Sequence, residues 1–351
     1  MITIEEPITF NMIEPDAAGL DKSRLNQAYE MLLQTFPSLY SLLVVKDAQL
    51  VYEKYNTLID PTSAYSIKSI TKSVMNALVG MAIRDGLISS VDQLIVDLVP
   101  NWPKRWLANI EGVTIKHLLT MTHGLHVEEN SSEMLEIWKS GNWTDSILNK
   151  PLVHPPGDRF LYCTCSTHLL SAILTELVNM PLANYASKKL FQPLGVQFRR
   201  KLIWSLDIKC PVRWERSPEG FNWGGNNMFL TPRTLARFGQ LYLADGIWNG
   251  QRLFPAGWVD ESFKEHSEGW SDYANYGYLW WVGCVDGFNY AFASGYGGQY
   301  VYVIPELKNV IVLTANSDAS IDEMQATRNP IIKDPTWILR RFLLESRLQD
   351  L

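Results

Sequence analysis

The sequence predicts an α+β fold in which helices flank an antiparallel sheet and a mostly helical subdomain is inserted into it. Three observations support this prediction: a helix and a hairpin open the chain, helical patterns dominate its middle, and strand-like segments return late, followed by a final helix. We therefore expect a sheet domain from residues 1–80 and 210–351, a helical subdomain from residues 81–209, and an active site at their interface.

The opening elements follow from the spacing of apolar side chains. Residues 22–35 carry them three and four positions apart, which is typical of an amphipathic helix. Two apolar runs then follow, one ending at Val45 and the other beginning at Leu50, and the short polar segment between them predicts a β-hairpin. The chain therefore opens with a helix and two paired strands.

A second helix is predicted from Ser69 to Asp85, because its apolar positions keep a helical period and Gly86 provides a stop signal. It is apolar enough to be buried. Short helical segments separated by Pro and Gly, as in "HPPGD", continue to about residue 210. No alternation typical of strands dominates this region, which favours a helical subdomain.

Strand character returns in three segments rich in Tyr, Val, Ile and Trp: "YGYLWWVG" at 276–283, "YAFASGYGGQYVYVIPE" at 290–306 and "KNVIVLTAN" at 308–316. The segment "DPTWILRRFLLESRL" at 334–348 is again helical, with Pro335 acceptable near its start. These strands and the first hairpin are expected to form one sheet.

Composition restricts the class of protein and its partners. The 351 residues are 46% hydrophobic and 19% charged, which is ordinary for a globular chain of about two domains. The net charge is −6 and the basic residues are scattered, so we expect a small-molecule substrate and neither nucleic acid nor a membrane as partner. The N-terminus has no signal-peptide pattern, which predicts a cytoplasmic protein, or an extracytoplasmic one if a signal was removed.

The cysteines and histidines predict neither a disulfide framework nor a metal site. The chain has four cysteines, at Cys163, Cys165, Cys210 and Cys284, and the first two are too close in sequence for a comfortable bridge. The six histidines show no H-E-x-x-H or similar pair. We therefore expect no metal and no cofactor.

One short motif could carry chemistry. Ser69 and Lys72 form S-x-x-K, and residues three apart on a helix share a face, so the amine can approach the hydroxyl. A Ser hydroxyl becomes a good nucleophile when a neighbouring base takes its proton, and a Lys in an apolar cleft can be that base. On the motif alone, a solvated Ser and Lys at a helix start is the commoner explanation, since S-x-x-K occurs about once by chance in a chain of this length.

Distant segments change that balance. "PPGDRFLYCTCSTHLLSAIL" places Tyr162 between a Pro-Gly loop and an apolar helix, and "FASGYGGQYVYVIPE" places a Gly-rich strand end late in the chain. Together with "TIKHLLTMTHGL" and "WGGNNMFLTPRTLARFGQLYLADGIWNGQRLFP", they resemble the serine β-lactamase and penicillin-binding-protein superfamily. The similarity is to its class C β-lactamase-like branch, which includes carboxylesterases, D-amino-acid peptidases and 6-aminohexanoate-dimer hydrolases. It covers nearly the whole chain and implies a β-lactamase/transpeptidase-like fold.

The resemblance implies roles for residues of the first two motifs. Ser69 corresponds to the acylated nucleophile and Lys72 to its partner one turn away. Tyr162 corresponds to the first residue of a second motif, Tyr-x-Asn or Tyr-x-Ser. Thr164 stands at its third position and is expected to bind substrate, although its hydroxyl cannot imitate both ends of an Asn amide.

The third motif, Lys-Thr-Gly or His-x-Gly in the family, is here Ala293, Ser294 and Gly295. Losing the cation argues against penicillins and D-Ala-D-Ala peptides and favours esters or uncharged amides. The resemblance implies that Ser294 and Gly295 bind substrate, with Gly295 allowing the backbone to approach it closely. The N–H groups of Ser69 and Tyr296 would form the oxyanion hole.

Two further sets of side chains lie near these motifs. Neighbouring residues of a strand face opposite ways, so one of Trp280 and Trp281 is expected to face the cleft, and we assign Trp281 to substrate binding. His123 and His168 are expected to be structural. No Glu or Asp is recognisable as a general base.

The sequence therefore predicts a serine hydrolase that acts through an acyl-enzyme on a small ester or amide, with esterase or amidase activity favoured over true β-lactamase activity. A catalytically silent binding or regulatory protein with the same fold is the alternative. The departures from the family at Thr164 and Ala293 motivate it, and the intact Ser69, Lys72 and Tyr162 speak against it.

Overall fold

The computed structural model describes residues 4–5, 9–56, 59, 62–129, 131–196, 198–199, 213–317 and 334–344. Cys210 and the part of the predicted last helix beyond residue 344 lie outside these ranges.

The core of the fold is one antiparallel sheet of eight strands. In chain order these are β1 (Leu39–Lys46), β2 (Gln49–Tyr55), β3 (Ser267–Trp270), β4 (Ala274–Tyr276), β5 (Trp281–Val285), β6 (Phe288–Gly295), β7 (Gln299–Ile304) and β8 (Asn309–Ala315). Their order across the sheet is β2-β1-β8-β7-β6-β5-β4-β3. The predicted antiparallel sheet assembled from both ends of the chain is confirmed.

The two ends of the chain meet where β1 pairs with β8. Leu43 lies opposite Val312 in this pair, and both are buried. Ser41 and Thr314 also face each other and share a hydrogen bond of 2.7 Å between their hydroxyl oxygens. Both hydroxyls are thus satisfied inside the core, where an unpaired polar group would be costly.

The helices are α1 (Lys22–Thr35), α2 (Ile70–Arg84), α3 (Ile95–Leu98), α4 (Lys104–Asn109), α5 (Ile115–Leu119), α6 (Ser132–Lys139), α7 (Trp143–Leu148), α8 (Thr164–Val178), α9 (Leu182–Ala186), α10 (Pro232–Leu243), α11 (Trp258–Phe263) and α12 (Thr336–Leu339). Short π-helical turns, Ser187–Phe191 and Arg340–Leu344, extend α9 and α12. Two 3-10 helices, Asp16–Ala18 and Pro305–Leu307, and three two-stranded pairs complete the described elements. The pairs are Ile4–Glu5 with Phe198–Arg199, Tyr65–Ser66 with Phe229–Leu230, and Ile247–Trp248 with Gln251–Arg252.

The middle of the chain contributes α3 to α9, and α8 packs against both α2 and α5. Within the described ranges, no helix combines the length and the apolar character that crossing a bilayer requires. The division of the chain into two domains stays a prediction.

One predicted strand is wrong in part. The segment 276–283 is interrupted, because β4 ends and β5 begins on either side of a four-residue turn. Leu279 has a positive φ of 57°, and its N–H donates to the carbonyl of Leu119. A Cβ at Gly277 would lie 2.2 Å from the carbonyl oxygen of Ser262. Close packing against neighbouring backbone therefore overrides the strand propensity of Tyr and Trp here.

Helix α2, which begins just after Ser69 and carries Lys72, is buried on all sides from Ile70 to Ala82. Its polar side chains have partners. The Asn76 amide donates to Ser262 and accepts hydrogen bonds from Tyr242 and Trp258. The predicted burial of this helix is confirmed.

Candidate active site

Ser69 stands at the N-terminus of α2 in an unusual position for a serine. It is the N-cap residue, yet its side chain accepts no hydrogen bond from the first turn, as an N-cap serine commonly does. Lys68, just before it, has a left-handed φ of 47°, which is rare for a residue with a side chain. The hydroxyl of Ser69 is therefore available for another partner.

That partner is Lys72, one turn along α2. Its Nζ lies 2.9 Å from Ser69 Oγ, 2.9 Å from Thr164 Oγ1 and 2.9 Å from the carbonyl oxygen of Gly225. The side chain is only 1% exposed. In its ammonium form Lys72 has three N–H donors, and these three oxygens can accept all of them, so this form is buried without an unsatisfied donor.

The carbonyl of Gly225 reaches Lys72 because two glycines lie side by side. A Cβ at Gly225 would lie 2.5 Å from Thr164 Cγ2, and one at Gly224 would lie 1.9 Å from the carbonyl oxygen of Thr167. Any side chain would push this loop away from the site. The pair is visible as "WGGNN", but sequence reasoning found no chemical meaning in it, since its role depends on contacts more than 50 residues away.

Glu129 is a second residue that sequence reasoning missed. Its Oε2 accepts a 2.7 Å hydrogen bond from the N–H of Thr164 at the start of α8, and its Oε1 accepts a 2.7 Å hydrogen bond from Thr164 Oγ1. A carboxylate thus lies two hydrogen bonds from the Lys72 amine. No local pattern marks it, because 35 residues separate it from Thr164.

Tyr162 joins this group through its ring. The Nζ of Lys72 lies 5.0 Å from the ring centroid, within the range of a cation–π contact. The ring stacks on Trp281, with centroids 5.6 Å apart and planes at 21°, and its centroid lies 5.1 Å from that of Trp270, which is 48% exposed. Trp280 instead packs in the core. The two tryptophans therefore occupy different environments: Trp280 belongs to the core, and Trp281 lies against Tyr162.

The end of β6 lies against the segment that precedes Ser69. A Cβ at Gly295 would lie 2.4 Å from the carbonyl oxygen of Ile67, two residues before Ser69. The close approach that this glycine permits in the structure is thus to protein backbone, whereas its predicted approach to substrate is not tested. Position 293 is a buried alanine, whose methyl side chain supplies no cation.

Ser294 lies on the face of β6 opposite to that of Ala293. Its Oγ is 2.9 Å from the hydroxyl oxygen of Tyr273. Burial raises the pKa of Tyr273 well above its ordinary value. Tyr273 therefore remains a neutral phenol, able to orient Ser294 by a hydrogen bond.

Tyr296 follows β6 directly, and its side chain is 54% exposed. In the ranges that the structure describes, neither its backbone N–H nor that of Ser69 donates a hydrogen bond within the chain. An oxyanion hole requires two such backbone donors beside a nucleophile. That function stays a prediction, as does substrate binding by Thr164, Ser294, Gly295 and Trp281.

The two histidines have structural partners. His123 Nδ1 accepts a hydrogen bond from the N–H of Leu125. His168 Nε2 lies 3.4 Å from Glu219 Oε1. Glu219 also accepts hydrogen bonds at the first turn of α7, including one from the N–H of Thr144. Among the described residues, no group of three or more His, Cys, Asp and Glu side chains is arranged to hold a metal ion.

A family model described as Beta-lactamase matches residues 33–332. The chain belongs to this family. A 6-aminohexanoate-dimer hydrolase of Paenarthrobacter ureafaciens is 24% identical over 299 residues, covering 78% of this chain and 71% of that protein. The chain spans about half the length of the other curated relatives that it matches.

Solved structures of the family confirm the fold. An octameric penicillin-binding protein homologue from Pyrococcus abyssi matches with a TM-score of 0.65 and 20% identity, over 90% of this chain and 79% of that one. EstCE1, a hydrolase with promiscuous acyltransferase activity, matches with a TM-score of 0.65 and 15% identity, over 90% and 98% of the two chains. The predicted β-lactamase/transpeptidase-like α+β fold is therefore confirmed.

Proposed function

We propose that this member of the Beta-lactamase family is a serine hydrolase that forms an acyl-enzyme on Ser69 with a small, uncharged ester or amide. The observation that carries the proposal is the buried Lys72, whose Nζ lies 2.9 Å from Ser69 Oγ. The hydrolase and hydrolase-like names of its relatives support the reaction class.

Acylation begins with transfer of the Ser69 hydroxyl proton to the amine of Lys72. The oxygen then bonds to the substrate carbonyl carbon, and the carbonyl oxygen takes the negative charge. The N–H groups of Ser69 and Tyr296 stabilise that charge. When the intermediate collapses, the bond to the leaving group breaks and the proton passes from Lys72 to the leaving group, with Tyr162 beside the path.

Deacylation reverses these roles. A water molecule gives its proton to the same amine while its oxygen attacks the acyl carbon. The bond to Ser69 then breaks and the serine oxygen recovers the proton. Lys72 and Tyr162 carry this proton jointly. A coupled pair shares its titration, so neither residue alone is assigned as the base of each step.

The substrate preference follows from what borders the nucleophile. Ala293 replaces the cation that holds a substrate carboxylate in the better-known members of the family, and aromatic rings at Tyr162, Trp270 and Trp281 form the neighbouring wall. Esters and uncharged amides with an apolar acyl or alcohol part fit this wall better than anionic peptides.

Covalent labelling tests the proposal. A fluorophosphonate probe is expected to label the wild-type chain at Ser69, as located by peptide mass spectrometry, and Ser69→Ala should abolish that label. Ser63→Ala, in the segment before α2, is the control that keeps it.

Undiminished labelling of Ser69→Ala would show that another residue is the nucleophile. A wild-type chain that shows neither labelling nor a burst on p-nitrophenyl esters, nitrocefin and D-amino-acid amides would instead favour a catalytically silent binding protein.

A further inference from the structure

A chain of hydrogen bonds leads from the Lys72 amine to a carboxylate. Lys72 Nζ lies 2.9 Å from Thr164 Oγ1, which in turn lies 2.7 Å from Glu129 Oε1. A carboxylate can only accept hydrogen bonds, and a threonine hydroxyl has a single proton. Thr164 therefore gives its proton to Glu129 and can only accept from Lys72.

We propose that Glu129 is a positioning residue that acts through Thr164 to direct the lone pair of the Lys72 amine at Ser69. This inference rests on the proposed function, because it concerns how Lys72 takes the serine proton.

The hydrogen-bond donors and acceptors around Lys72 determine where its lone pair points. The amine form of Lys72 has two N–H groups and one lone pair. The carbonyl of Gly225 can only accept, and Glu129 compels Thr164 to accept as well, so the two N–H groups are both used. The lone pair is left for the hydroxyl of Ser69, 2.9 Å away. If Thr164 were free to rotate, its hydroxyl could donate to the amine and occupy that lone pair.

Two hydrogen bonds fix the Glu129 carboxylate against Thr164. Both of its oxygens are engaged by Thr164, one by the hydroxyl and one by the backbone N–H at the start of α8. A negative charge at a helix N-terminus is also favoured by the helix dipole. Thr164 is buried, so water does not compete readily for its hydroxyl.

The test compares Glu129→Gln with Glu128→Gln, an exposed carboxylate one residue earlier. An amide offers one acceptor and one donor group, so it cannot accept from both the hydroxyl and the N–H of Thr164. Glu129→Gln is expected to lower kcat for a p-nitrophenyl ester, and the rate of fluorophosphonate labelling, by about 10- to 100-fold, the effect of misdirecting a hydrogen bond to a charged group. KM should not change, and Glu128→Gln should behave as wild type.

Variants of Thr164 show whether the effect passes through its hydroxyl. Thr164→Ser keeps the hydroxyl and should be faster than Thr164→Val, which should be as slow as Glu129→Gln. The double variant Thr164→Val with Glu129→Gln should be no slower than Thr164→Val alone, because the route is already broken.

Equal rates for Glu129→Gln and wild type, or losses that multiply in the double variant, would overturn the inference while leaving the proposed function intact. A wild-type chain that neither labels nor turns over would overturn the proposed function and the inference with it. Melting temperatures separate these results from unfolding, since a Glu129 that only caps α8 would lower stability in every background.

Discussion

The ring and the hydroxyl of Tyr162 can be tested separately. The ring packs against both Trp281 and Trp270 and faces the Lys72 amine. The hydroxyl is the part that can move a proton. We expect Tyr162→Phe to keep the packing and the melting temperature while kcat falls by about 10²- to 10⁴-fold, the usual contribution of a general acid or base. Steady-state kinetics with a p-nitrophenyl ester measures this, and a kcat equal to wild type would remove Tyr162 from the proton path.

Substitution of Gly225 is expected to lower activity, as substitution of the proposed catalytic residues should. A Cβ there would lie 2.5 Å from Thr164 Cγ2 and 3.2 Å from Lys72 Nζ, so Gly225→Ala must displace the amine or the loop. We predict a loss of about 10²-fold in kcat/KM, because small displacements of reacting groups are costly.

Gly141→Ala is the matched control for this substitution, since a Cβ at Gly141 would meet no atom within 4 Å and its backbone lies outside the positive-φ region. Similar kinetics for the two variants would show that the close packing around Gly225 does not matter for the reaction.

Sequence reasoning selected Ser69, Lys72 and Tyr162, which the structure brings together, because the helical spacing of the first two and the order of all three along the chain are visible in the text. It could not place Glu129 or Gly225. Each bonds to a partner far along the chain, Glu129 to Thr164 across 35 residues and Gly225 to Lys72 across 153 residues. A single carboxylate in a loop or a pair of glycines has no periodic pattern, so only tertiary contact shows its role.

Among the elements, helix α2 depends on one buried amide. Asn76 accepts from the hydroxyl of Tyr242 at 2.6 Å and from the indole of Trp258 at 3.2 Å, and it donates to Ser262 at 3.0 Å. Asn76→Ala should leave these partners unsatisfied and lower the free energy of unfolding by about 2–4 kcal/mol. Urea denaturation measures this loss.

The exposed Asn184 on α9 is the matched control, for which Asn184→Ala should change stability by less than about 0.5 kcal/mol. If the two variants were equally stable, the hydrogen bonds of Asn76 would make no net contribution to the free energy of unfolding.

Elements with a clear period were predicted well. Helix α1 occupies the expected residues 22–35, and the predicted hairpin is formed by β1 and β2, whose turn residues Asp47 and Ala48 both have positive φ. The segment 276–283 failed because its Tyr and Trp residues favour a strand locally. The turn between β4 and β5 is instead imposed by contacts with α11 and with the end of α5.

At the scale of the whole molecule, Glu219 links separate parts of the chain and makes stability depend on pH. Burial acts to raise the pKa of Glu219, but hydrogen bonds from His168 and from Thr144 outweigh it and hold the pKa well below its ordinary value of 4.5. A carboxylate whose pKa is lower in the folded protein than in the unfolded chain contributes stability at pH values above its ordinary pKa. The contribution is lost as the pH falls through the lower pKa of the folded state.

We therefore expect Glu219→Gln to lower the free energy of unfolding by about 1–3 kcal/mol at pH 7, the value of a carboxylate with several donors. The difference from wild type should shrink as the pH falls below about 4.5. Thermal denaturation between pH 3 and pH 7 measures it. A difference that stayed constant over this range would show that the ionised carboxylate is not the stabilising form.

The pairing of β1 with β8 also has a consequence for synthesis. The hydroxyls of Ser41 and Thr314 that meet in this pair are 273 residues apart in the chain. At about 5–20 residues per second, the ribosome needs roughly 14–55 s to make the second partner after the first. During that interval the apolar β1 strand has no β8 to cover it, so the nascent chain must be kept from aggregating until β8 has emerged.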